Sequence, residues 1–82
     1  MAYQATTEVP VGDERRPAFE LEFEIEREDW NVYKLLDGGR VRVKVVVAKM
    51  FQVLTDDGEF ARTPDGDRLV VVRNNVQITV SE

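Results

Sequence analysis

Residues 18–28 read AFELEFEIERE, in which Phe19, Leu21, Phe23 and Ile25 alternate strictly with Glu20, Glu22, Glu24 and Glu26. At 100° per residue the apolar positions would fall on two opposed faces of a helix. At 180° per residue they share one face. The pattern predicts a strand over residues 19–26, despite the glutamates.

The same logic runs down the chain. WNVYKLL (residues 30–36) predicts a second strand, ended by the DGG turn at residues 37–39, where glycine allows positive φ. In RVRVKVVVAKMFQVL (residues 40–54), Val41, Val43, Val45 and Val47 share a face, while Arg40, Arg42 and Lys44 share the other. Fifteen residues are long for one strand, so a bend near Ala48 and Lys49 is expected to split the run in two. TDDGEFARTPDGDR (residues 55–68) reads as a loop. LVVV and VQITV are the expected last two strands, with Arg73-Asn74-Asn75 as the tip of a hairpin between them. Residues 1–17 show no period and carry Pro10, Gly12 and Pro17, which reads as a flexible arm. The class is all-β: one small domain over residues 18–82, behind an N-terminal arm.

Composition narrows the chemistry. With 82 residues and no cysteine, no disulfide can reinforce a small core, and oligomerisation is a common substitute. With no histidine, the commonest general base, the usual zinc ligands and the Ser-His or Cys-His nucleophile pairs are all missing. No nucleophile–base pair can be named, so the reading is not an enzyme, with no cofactor, metal or small-molecule substrate expected. The carboxylates Asp56, Asp57, Glu59, Asp65 and Asp67 do not follow a calcium-loop spacing and read as solvated turns. No stretch is long and apolar enough for a membrane span, and no leader is visible; with the lack of cysteine, this gives the cytoplasm as the expected location.

Net charge is −5, which argues against nonspecific nucleic-acid binding by the whole surface. Its distribution is uneven: residues 18–29 hold six acids and one base, residues 30–54 five bases and one acid. Glu20, Glu22, Glu24 and Glu26 share a spacing of two with Arg40, Arg42 and Lys44, so a ladder of opposite charges is expected, within a chain or across subunits. The alternative is a basic stripe open to phosphates.

Two stretches resemble the motifs of the Sm/Lsm-like RNA-associated proteins. LLDGGRVRVKV supplies Leu35, Asp37, Gly38, Val41 and Val45; VVVRNNVQITV supplies Val72, Arg73, Asn75 and Val76. Together they cover residues 30–80, in the family's order. The chain departs from the pattern at Val43, where the family has glycine, and lacks the glycine after the arginine. The family's loop Asp and Asn have no clear match, since VVVAKMFQV offers only Lys49, Met50 and Gln52. The family's N-terminal helix is replaced by a strand-like segment. The resemblance implies a small Sm-like (SH3-type) open barrel of five strands, here with an extra N-terminal strand or arm. It also implies a homo-oligomeric ring of about five to seven subunits that binds single-stranded RNA at its pore. Another small open β-barrel, or an unrelated sheet, remains open on pattern alone.

In that frame the candidate RNA-binding residues are Arg73, Asn74 and Asn75, with Lys49 and Phe51 in the bend as a charge-plus-stacking pair. The plainer reading makes Asn74 and Asn75 a tight turn, Arg73 an ion-pair partner and Trp30, Tyr33, Phe51 and Phe60 packing residues. Two functions follow: an Sm-like ring that holds single-stranded RNA, or a structural, protein-interaction oligomer with no nucleic-acid role.

Overall fold

The structure, a computed structural model, describes residues 2–81. No helix occurs among them, and so none that could cross a membrane. Five antiparallel strands make one sheet: β1 (Thr7–Val11), β2 (Glu14–Leu21), β3 (Asn31–Lys34), β4 (Arg40–Val53) and β5 (Val70–Ser81).

β4 is the spine. β5 follows one of its edges from Arg40↔Ser81 to Gln52↔Val70. The opposite edge is shared: β3 takes residues 40–43, and β2 takes residues 50–53 with β1 outside it. Residues 44–49 of β4 have no strand partner on that edge. The sheet does not close into a barrel, because β1 and β5, which would have to meet, pair only with β2 and β4 respectively. The result is long: its extents are 56 × 27 × 23 Å. Its radius of gyration of 17.6 Å compares with roughly 12 Å for a compact domain of this length.

The alternation along residues 30–53 is realised, and the bend falls where expected, as a β-bulge between Val47 and Lys49. It kinks one fourteen-residue strand and does not divide it. The bulge also limits β2. The β2–β4 pairing stops at Leu21↔Met50, just before it, since a bulge adds local twist and carries the edge away. Hence the strand expected over residues 19–26 ends at Leu21, and residues 22–30 cross to β3 without strand pairing.

Two further expectations are corrected. The stretch read as an arm carries β1 and the first half of β2, joined by Gly12-Asp13 with Gly12 at φ 60°. Even Tyr3 is fastened: its N–H donates to Gly58 O at 2.8 Å, and its ring stacks on Phe60 and Phe19. The final hairpin is one strand. Arg73, Asn74 and Asn75 lie mid-β5, opposite Lys49, Val47 and Val46. A tight turn there would need positive φ, and no non-glycine residue among those described has it. Against a spine as long as β4, staying extended satisfies more backbone groups than turning back.

Three reversals share one design. Leu35, Thr55 and Thr63 each donate N–H to the carbonyl four residues on and accept from the glycine N–H three residues on. Those glycines, Gly38, Gly58 and Gly66, have φ of 108°, 81° and 93°. This is a type I turn closed by a left-handed glycine. At Thr55 and Thr63 the side-chain Oγ1 also accepts the N–H of Glu59 and Asp67.

The core sits at one end. Val9, Ala18, Phe51, Val53 and Ala61 form it, with Val11, Leu69 and Val71 packed against them. Gln52 is fully buried there and fully bonded. Its Nε2 donates to Val53 O (2.9 Å) and Leu69 O (3.2 Å), and its Oε1 accepts from Arg68 Nε (2.8 Å).

Candidate interaction surface

Registers assign every side chain of the outer sheet to a face, because residues directly opposite each other in an antiparallel pair share one. Beyond the bulge, Tyr33, Val41 and Val80 are aligned across three strands, as are Asn31, Val43 and Ile78. Val45 stands opposite Val76. Six of these seven apolar side chains come from β4 and β5, and they form one face. Apart from the crossing segment at its Val45 end, no described residue covers it: Tyr33, Val45, Val76, Ile78 and Val80 are about half exposed or more, Val80 at 65%.

The reverse face is basic. Lys34 and Arg40 are paired, Arg42 faces Val32 and Thr79, and Lys44 faces Gln77. The bulge then shifts β4 by one residue against β5, so odd-numbered β4 residues change sides. That brings Lys49 and Arg73, directly opposite one another, onto the basic face together with Phe51. Six cations therefore line one face. Only Lys49 has a carboxylate partner among the described residues, Glu20 at 3.6 Å, an exposed pair of little energetic weight. Two cations lie over rings: Arg73 over Phe51 at 5.0 Å and Lys44 over Trp30 at 5.6 Å.

The expected ladder between Glu20–Glu26 and Arg40–Lys44 is not formed within the chain. Glu20 stands opposite Phe51, Arg42 lies between β3 and β5, and Lys44 is paired with β5 alone. Glu22, Glu24 and Glu26 instead belong to the crossing segment, where Phe23 through Asp29 wall a cleft of about 510 Å³ over Val45, Val47 and Met50. Phe23 and Ile25 stay exposed.

Of the sequence-selected site residues, the structure unites Arg73, Lys49 and Phe51. Asn75 shares their face and Asn74 points to the other. Phe51 is a core residue, 5% exposed, so its ring is not free for stacking by a ligand. Gln52, seen beside Lys49 as a polar residue of the bend, is structural. The feature that sequence reading missed is the two-sided sheet beyond the bulge. Its signal was present in the alternation of residues 40–47, but the matching alternation of residues 76–80 becomes informative only in register with it.

No family model, curated protein or solved structure matches the chain, so its function is argued from this geometry.

Proposed function

We propose that this chain is a structural, protein-interaction module that self-associates through the apolar face of β3, β4 and β5. One observation carries the reading: Tyr33, Val45, Val76, Ile78 and Val80 form a contiguous exposed apolar face on an ordered sheet. Single exposed apolar residues are ordinary on a protein surface; a contiguous patch marks an interface. The small core gives the same direction, since a chain of this size without a disulfide gains stability by association.

Light scattering on the purified protein tests it. An oligomer at micromolar concentration is expected, and Ile78→Asp should lower the mass toward that of one chain while leaving the circular-dichroism spectrum in place. A monomeric unsubstituted protein would refute the module.

The basic face supports a second reading. In it the chain is a divergent Sm-like protein, in a ring of about five to seven subunits, holding single-stranded RNA. Its support is the meeting of Arg73 and Lys49 with Arg40, Arg42, Lys44 and Lys34 on one side of the sheet. It expects oligo(U) affinity that falls with salt and collapses in Arg73→Ala. Absence of binding at every salt concentration removes it.

A further inference from the structure

Among the described residues, β5 hydrogen-bonds to β4 along one edge and to no strand along the other, over all twelve residues from Val70 to Ser81. At about 3.4 Å per residue this is an open row of backbone donors and acceptors roughly 40 Å long. Such an edge is a template for another chain, and proteins blunt it with proline, lysine, bulges or short length. The chain's other edges are blunted in these ways. β1 has five residues and contains Pro10. β3 has four and ends in Lys34. The gap at residues 44–49 of β4 carries the bulge. β5 has none of these defences: its residues are mostly β-branched and its one charge is Arg73.

We propose that β5 pairs antiparallel with β5 of a second copy, about a two-fold axis normal to the sheet. The two chains then share one continuous sheet with the order β4-β5-β5-β4 at its centre. This inference rests on the self-association proposed above and adds to the contact over the apolar face a second one, along the edge of the sheet. Length selects the partner: a neighbour's β1 or β3 would cover five or four of the twelve residues, whereas a second β5 covers the edge. The two faces select the direction. Antiparallel pairing about that axis puts both apolar faces on one side, so Val76, Ile78 and Val80 of the two copies merge into one patch. Parallel pairing about an axis along the strands would set each apolar face beside the partner's basic face.

Register follows from symmetry. Residues opposite one another share a face, so the axis passes through a residue, which meets its own copy. Greatest overlap puts that residue at Asn75 or Val76. Arg73 then stands opposite Gln77 or Thr79 and avoids meeting the partner's arginine, a like-charge contact that would be destabilising.

The chain contains no cysteine, which makes a single-cysteine scan clean. Asn74→Cys, Asn75→Cys, Val76→Cys, Gln77→Cys and Ile78→Cys would each be oxidised after native mass is measured by light scattering. Edge pairing expects one maximum of disulfide-linked dimer, at residue 75 or 76, forming roughly tenfold faster than at its neighbours. One residue along the strand, the two Cβ atoms already separate beyond disulfide reach and point to the other face. Amide exchange on the unsubstituted oligomer gives an independent reading. Every β5 amide should be slowed by on the order of 100-fold, where an unpaired edge would protect alternate amides only. An oligomer that keeps this alternation, or cross-links equally at residues 74, 76 and 78 and not at 75 and 77, packs face to face. Either result overturns the edge pairing and leaves self-association standing. A monomer overturns both.

Discussion

The two ends of β4 are made from similar residues and meet different fates. Toward Val53, the strand lies among β2, β5 and the 54–69 loop, and its valine and phenylalanine are buried. Toward Arg40, the same alternation of valine with a polar residue has strands on both edges over residues 40–43 and no packed layer over either face. Hydrogen bonding alone is satisfied at both ends. What differs is the third dimension: the Val53 end has a 54–69 loop and a docked Tyr3, and the Arg40 end has neither. Strand pairing therefore settles edges, and a separate element, or a separate chain, is needed to cover faces.

Substitutions can break that contrast, most severely in the core. Phe51→Ala should cost about 3–5 kcal/mol, a loss that urea denaturation would register as a large fall in midpoint. A value under 1 kcal/mol would mean that the core is not where the burial puts it. Gln52→Ala, also at this end, should cost about 1–3 kcal/mol, because Arg68 and Leu69 O lose a buried partner.

The turns sharpen the comparison, since the same reversal occurs at both ends. Gly58→Ala and Gly38→Ala both place a Cβ on a positive φ. At Gly58 the added atom would also lie 2.8 Å from Tyr3 O, while at Gly38 it meets nothing. Gly38→Ala should cost on the order of 1 kcal/mol, and Gly58→Ala clearly more; equal thermal midpoints would show that Tyr3 is not held on the turn. Smallest is Ile78→Asp at the open end. Measured in dilute, monomeric protein, it should change stability by no more than about 0.5 kcal/mol. A loss of core size would mean that this face is covered by the chain itself.

Much of the fold was legible. The alternation of residues 40–47, the DGG reversal and the bend near Lys49 follow from side-chain period and glycine, which are local. The turns at Thr55 and Thr63 were legible as loop and not as two copies of one device, since the Thr Oγ1 bond appears only in three dimensions. The misreadings share a cause. Residues 7–11 lack a period because Pro10 interrupts it, yet Val9 is fully buried by packing that no local signal reports. Phe23 and Ile25 have a strand's pattern and no strand partner, because the bulge turns the edge of β4 away. Asn74 and Asn75 are good turn residues held extended by the length of β4.

The candidate site divides in the same way. Residue type and period by themselves determined that the chain is all-β, that valines and cations occupy opposite faces of residues 40–44, and that no histidine or cysteine chemistry is available. Tertiary structure alone decided that the cations of β3 and β4 join Lys49 and Arg73, that of the acidic alternation Glu20 alone reaches them, at Lys49, and that the valines of β4 and β5 merge into a largely uncovered face. The physical reason is register. A one-residue bulge at Val47 and Lys49 reverses which side every later residue of β4 occupies, and no property of the residues taken singly records that reversal.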